Sequence, residues 1–552
     1  MRSKNLIVAL LGLLAFGNST NAQTTDRPRP AEWNNLIYGG RFMDRFLPMT
    51  NNDLPARKDV WGAPGVIPRY AENGIENSKW SFWCASIKYE GGKYHMFTVG
   101  WLESSPRGHA TWPNSILFHA ISDKTSGPYI VQDTIGKGHN AEAFKLKDGR
   151  WIVYVINGYY IAPSVNGPWK YKKFDFQNRD RKIMDGMSNC TFAQREDGTY
   201  LMVNRGGGVW FSQTGESAYN QISETRAYPA IKGNFEDPVV WRDNVQYNLI
   251  VNDWLGRIAY YMRSKDGVNW KTESGEAYLP GISKHEDGTV EAWWKYERMR
   301  VFQDSYGRAV QANFAVIDVE KNLDKPNDIH SSKNIIIPLM PGRLITILDK
   351  SSVTASTQTV RIKIAAEKDF NPQTDIDFTS LNFGASEDVN YGRGFKVLKT
   401  ERSGKDIIIT FNVAGKAITD DDYAAKLLGK TKNGQLVFGY ALLPWINKID
   451  PIMSARLPVV TANGGGFDIK VHIDNYGQVA SKGNNLLLTY TKDGQQIELG
   501  KAKIKAGVKP FEGTDIKFKN AGLFDKSVTY DFTVIIDCEN KLPVLLHGKV
   551  IL

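Results

Sequence analysis

Cysteine is scarce in this 552-residue chain, with three residues, Cys84, Cys190 and Cys538. An odd, sparse set is not a disulfide framework. With no paired Cys or His nearby it is no zinc site either, so no metal site is expected from these residues. The thiols read as small buried hydrophobes. After Phe16 no stretch is apolar enough to cross a bilayer. Basic runs and nucleic-acid motifs are also missing, so the formal charge of +10 does not point to nucleic acid. The Gly-rich "VNRGGGVWFS" (203–212) lacks the GKS/T ending and following helix of a phosphate loop.

The N-terminus, "MRSKNLIVALLGLLAFGNSTNAQ", starts basic at Arg2 and Lys4 and has an apolar core from Leu6 to Phe16. That core is too short for a membrane span and is followed by a small-residue cleavage site at Thr20-Asn21-Ala22. Residues 1–22 are therefore read as a signal peptide, and the mature chain as periplasmic or secreted. No cysteine follows the apolar run, which argues against a lipid anchor. Loss of Arg2 and Lys4 leaves a charge of about +8. Exported basic proteins often meet anionic polymers, and an acidic or sulfated polysaccharide is the expected partner. Scattered surface lysines explain the same number. The oligomeric state is not legible.

Residues are 42% hydrophobic and 12% aromatic, with 50 glycines, which favours an all-β protein. A unit of about 50 residues repeats. Its first element is a turn and an aromatic strand: "EGGKYHMF" (90–97), "KDGRWIVY" (147–154), "EDGTYLMV" (196–203). Its second ends in Gly and an aromatic: "SDKTSGPY" (122–129), "PSVNGPWK" (163–170), "SKDGVNWK" (264–271). The Asp-Gly turns supply the positive φ of tight hairpins. Short antiparallel strands repeated radially describe a β-propeller. Five units between Trp80 and Asp318 predict five blades, within a domain at 23–350 that is expected to be catalytic. Alternating strands then predict two immunoglobulin-like β-sandwiches, 351–453 and 454–552, as spacers, carbohydrate-binding modules or packing partners.

The strand before each turn should be innermost in its blade: "SFWCASIK", "GHNAEAFK", "MSNCTFAQ", "FEDPVVWR" and "YERMRVFQ". Their starts converge on one mouth of a central channel. That mouth should gather Trp83, His139, Asn140, Glu142, Asn189, Glu236, Asp237, Glu297 and Arg298. Two chemistries suit this set. Glycosidic hydrolysis needs two carboxyl groups, an acid and a base or nucleophile, with Glu142 and Glu236 as the pair and Glu297 or Asp237 tuning them. Alternation puts Glu142 on the same strand face as Asn140, and sets Glu236 and Asp237 on opposite faces. Elimination from a uronate needs a base and neutralisation of the carboxylate. His139, Asn140, Tyr159, Tyr160, Arg205 and Arg298 offer those groups. His119 reads as a core histidine. "SKHEDGTVEAWWKYER" (283–298) reads as a loop over the mouth, bringing His285 as a substrate contact. A glycan-binding propeller without catalysis is the third reading.

The "GPW" and "GPY" turns, the HN-x-E step, "EDPVVW" and "YERMR" resemble the five-bladed propeller glycosidases, glycoside hydrolase family 43 and its wider clan. They also resemble the anhydrogalactosidase branch. The resemblance spans about residues 55–345 and implies a glycosidase. It also implies an aspartate base in the first blade, where this chain has "SFWCASIK", and a third-blade carboxylate, where it has Asn189. Glu142 matches the second-blade acid loosely and Glu236 the fourth. A propeller group linked to degradation of ulvan-type oligosaccharides is also similar, which makes a lyase or dehydratase the alternative. No cofactor is implied. The acidic residues permit a calcium ion in the channel, though no EF-hand-like spacing demands it.

Overall fold

A computed structural model describes residues 24–51, 56, 66, 69–176, 187–222, 226–415, 417–418, 423–463, 466–519, 524–525, 528–537 and 544–551. The signal-peptide expectation and Cys538 lie outside the described residues. The chain is all-β, built of many small antiparallel sheets.

Among the described residues, five meanders come first. They begin with strands Trp80–Glu90, Glu142–Lys145, Thr191–Gln194, Phe235–Arg242 and Lys295–Gln303. Four have four strands and the fifth has three. Each turns where the repeated turn motif lies. In the Asp-Gly hairpins, Gly149 (φ 88°) and Gly198 (φ 87°) occupy the left-handed region that the tight turn requires. The first strands touch one another around a ring, and the fifth closes on the first. This arrangement is compatible with a propeller.

A conformational repeat, invisible in the sequence, sets the register of the ring. Cys84, Asn140, Asn189, Asp237 and Arg298 all have positive φ, between 52° and 64°. Asn140 and Asn189 stand just before their first strands and the other three lie within theirs, where the pairing slips in the first, fourth and fifth sheets. These are β-bulges, which re-aim side chains. Two residues further on, the Ser86 hydroxyl accepts from Ala143 N–H, the Glu142 carboxylate from Phe192 N–H and the Thr191 hydroxyl from Val240 N–H. One stitch thus joins sheet to sheet at three successive junctions.

Two further pairs of sheets follow, each with one shared apolar core. The first is built on Val360, Ile362, Phe383, Ile409 and Leu427. The second is built on Ile469, Val471, Leu488, Phe532 and Val534. Strand Ile345–Ile347 packs into the first of these cores rather than into the meanders. Both pairs are docked on the fourth sheet and its neighbours. Arg263 and Glu273 form a buried ion pair (2.6 Å), and Glu273 also accepts from Ser386 and Asn390 of the following unit. Arg195 donates to Tyr476 O (2.9 Å) in the last unit. The N-terminal arm is wedged into the same assembly through Trp33, Phe42 and Met49.

Candidate active site

The left-handed residues form a polar relay across the channel mouth. Asn140 Nδ2 donates to Asn189 Oδ1 (2.8 Å), and Asn189 Nδ2 donates to Asp237 Oδ1 (2.9 Å) and Glu236 Oε1 (2.5 Å). Arg298 Nη1 pairs with Asp237 from the other side (3.0 Å). Asparagine and aspartate tolerate this backbone region, whereas Cys84 and Arg298 are strained in it. Asn140 Oδ1 and Arg298 Nε are buried without a hydrogen-bond partner. Such groups cost free energy and so call for an explanation, which a bound polar molecule would supply.

Glu236 and Asp237 do not face opposite sides, contrary to simple alternation. The bulge at Asp237 turns both carboxylates onto one asparagine nitrogen. Glu236 is partly exposed and lies 3.7 Å from the exposed Arg205. Asp237 is fully enclosed; burial pushes its carboxyl up, to about 7, opposed by Arg298 and reinforced by the Glu236 and Glu297 charges. Glu297 is also buried, yet its carboxyl is held below the ordinary range. Burial opposes that shift, and Lys321 (2.5 Å) and Lys295 (3.8 Å) outweigh it.

His139 stands one residue before the left-handed Asn140, at the mouth. Its Nδ1 is 2.9 Å from Ser115 Oγ, and that hydroxyl donates to Trp112 O. The serine proton is committed, so Ser115 accepts from Nδ1–H, and Nε2 carries the lone pair. No partner meets Nε2 among the described residues. Burial pushes the imidazole pKa well below its usual value, helped by Arg298, His109 and Lys321. Trp112, 40% exposed, lies against the ring with centroids 4.9 Å apart. Below it His109 bonds Ser332 (2.9 Å) and meets Trp83 edge to face (4.6 Å). Trp83 is buried, with the Lys321 ammonium over its ring (5.1 Å), so it forms the floor.

Other expected groups stand elsewhere. The left-handed residue Asn140 carries Glu142 below the mouth into the stitching layer, where Arg300 Nε lies 3.3 Å away and Thr191 and Phe192 donate. Burial raises its carboxyl pKa, opposed by Arg300 and Lys88. His285 is buried against Tyr70 (3.8 Å) and faces Glu291 (3.6 Å), so it is walled off from substrate. Trp293 is buried and donates to Glu291, while Trp294 stacks under Arg257. Tyr160 donates to Lys137 O and Tyr159 to Glu216 O, in the second sheet away from the ring. His119 bonds His95 (2.8 Å) in the core, as the sequence indicates.

Sequence reasoning missed Trp112, Ser115, His109, Lys295 and Lys321. The first three belong to or abut a 3-10 segment, Gly108–Asn114, inserted between two strands of the first sheet. The signal was present in "GHATWPNS", which breaks the repeat with a histidine and an aromatic together.

No family model matches the chain, and no curated protein matches it. The solved structures it is similar to include several glycoside hydrolases. A thermostable family-43 glycoside hydrolase is 12% identical, covering 47% of this chain and 90% of that one, with a TM-score of 0.33. Another glycoside hydrolase is 11% identical, covering 84% and 95%, with a TM-score of 0.32. An alpha-L-arabinofuranosidase from Lactobacillus brevis is 9% identical, covering 47% and 93%, with a TM-score of 0.31.

Proposed function

We propose that this protein is an exported enzyme that degrades oligosaccharides of an anionic polysaccharide at the mouth of a five-bladed propeller, and that it does so by elimination at a uronate residue. The meanders, from Trp80 to Pro338, are the blades, and with the N-terminal arm they make up most of the domain at about residues 23–350. The units at about 351–453 and 454–552 are sandwiches that brace the fourth blade. The observation that carries the chemistry is His139. Its Nδ1–H is committed to Ser115, its Nε2 is unpartnered, and it is held neutral beside an exposed tryptophan.

A neutral imidazole with a free lone pair is a base. Trp112 is a platform for a sugar ring. Arg205 and Arg298 neutralise the uronate carboxylate, which stabilises the negative charge that grows as the adjacent proton leaves. The C5–H bond breaks and its proton moves to His139 Nε2. The C4–O bond breaks, its electron pair leaves with oxygen, and a C4=C5 double bond forms. The imidazolium returns the proton to the departing oxygen. If that oxygen belongs to the next sugar the chain is cleaved; if it is a free hydroxyl, water is lost. No cofactor takes part. Arg298, Lys321 and Arg205 face the ring carboxylates, a donor set that suits a sugar anion better than calcium.

One observation favours hydrolysis as the second reading. Asn189 Nδ2 lies 2.5 Å from a Glu236 oxygen and 2.9 Å from an Asp237 oxygen, so these oxygens are at most about 5.4 Å apart. That separation suits a retaining carboxyl pair, with Asp237 as the protonated member. Against it, Asp237 has no exposed side-chain surface.

The assay follows ultraviolet absorbance and product masses on uronate-containing oligosaccharides. Unsaturated products, with or without loss of water, are expected. New reducing ends without unsaturation would replace this reading by hydrolysis.

A further inference from the structure

A cavity of about 720 Å³ opens at the opposite end of the channel from His139. Its walls come from successive layers of the same five strands. In the stitching layer Glu142 and Arg300 face it. Two residues further along each strand stand Lys88, Phe144, Ala193, Trp241 and Phe302, all lining the cavity. Lys88 is the single charge in that layer. Its ammonium lies over the Phe144 ring (4.6 Å). It has no hydrogen-bond acceptor among the described residues. Glu142 shares its charge between Arg300 and Lys88, accepts from Thr191 and the Phe192 N–H, and gives Lys88 no hydrogen bond among the described residues. Within these two layers Lys88 and Arg300 meet one carboxylate, Glu142, while at the rim Lys145 pairs with Glu90 and Asp304 with Arg308. At the rim Tyr89 and Tyr306 are half exposed, 56% and 50%.

Lys88 is partly buried beside open space, with its ammonium over Phe144, so an anionic group entering the cavity would take the place of water there. We propose that this cavity is a second ligand site, in which Lys88 binds the sulfate or carboxylate group of a small saccharide and the rim tyrosines flank its ring. The site needs no chemistry at the mouth. It would hold a product or a neighbouring chain segment while His139 acts on the other face.

The test uses the mature protein, with Lys88→Met to remove the charge while keeping an unbranched apolar stem. Arg205→Met controls for binding at the mouth. Calorimetric titrations with sodium sulfate, glucose 6-sulfate and glucuronate at matched ionic strength should show binding to wild type and R205M. At least a tenfold weakening is expected when K88M is added to R205M, in which the mouth has lost one of its two arginines. Tighter binding of the sugars than of free sulfate points to a saccharide; equal binding points to the inorganic ion at the same lysine. Crystals grown with selenate should show anomalous density at Lys88 Nζ in wild type. Binding to R205M left unchanged by adding K88M, or wild-type crystals without selenium density at Lys88, overturns the proposal.

Discussion

Replacing Glu142 with glutamine separates a structural carboxylate from a catalytic one. Glu142 was the natural proton donor on sequence grounds, yet it lies in the stitching layer, buried, 3.3 Å from Arg300. Removing one partner of a buried ion pair costs about 3–5 kcal/mol, because the other charge is left without compensation. Glutamine still offers an oxygen to the Phe192 N–H and the Thr191 hydroxyl, so the lower end, about 3 kcal/mol, is expected. Urea unfolding followed by tryptophan fluorescence should show that loss. Turnover of folded E142Q at 25 °C should stay within about tenfold of wild type, because His139 is untouched. A folded, equally stable E142Q whose turnover falls by about a hundredfold or more would refute the reasoning and return Glu142 to the chemistry.

Two further outcomes follow from buried charge. His109 and His139 are held neutral, with pKa values well below the ordinary 6.5, by burial first and the nearby cations second. Below pH 6.5 the unfolded chain takes up protons that the folded chain refuses. Stability should therefore fall with acid by about 1.4 kcal/mol per pH unit for each histidine. Urea midpoints between pH 6.5 and 5 should show this slope, and His109→Asn should reduce it; a flat profile would contradict it. Glu273, between Arg263 and the following sandwich, is pulled from 4.5 to about 2; burial opposes that shift and Arg263 outweighs it. That is stability of about 3 kcal/mol, fully present above pH 4.5 and lost as pH falls toward 2. Glu273→Gln should remove it at neutral pH and flatten the acid limb, measured by the same unfolding experiment.

Much of the meander architecture was legible because hairpin chemistry is local. Asp148-Gly149 and Asp197-Gly198 mark two turns, and both glycines take the positive φ those turns need. The strand starts that converge on the mouth were legible for the same reason. What failed was side-chain direction. Alternation put Glu142 beside Asn140 and split Glu236 from Asp237, but a left-handed residue in or just before each first strand resets the alternation. Asn140, Asn189 and Asp237 are common left-handed residues, and Cys84 and Arg298 are not, so no composition signal marked the five as equivalent. Lys295 and Lys321 were missed because their roles depend on the buried carboxylate of Glu297, which Lys295 meets from the same strand and Lys321 from the loop after the next strand. Trp112 and Ser115 were missed because they lie in an insertion rather than in the repeat.

The central claim is that His139 Nε2 removes a proton from a uronate bound at the channel mouth. Its most direct measurement compares wild type with His139→Ala on one uronate-terminated oligosaccharide, by ultraviolet absorbance and product mass. Wild type should yield an unsaturated uronate, and H139A should lose that activity by about 10²–10⁴-fold while keeping its unfolding midpoint in urea at pH 8. Saturated products with new reducing ends, formed equally by both proteins, would contradict it.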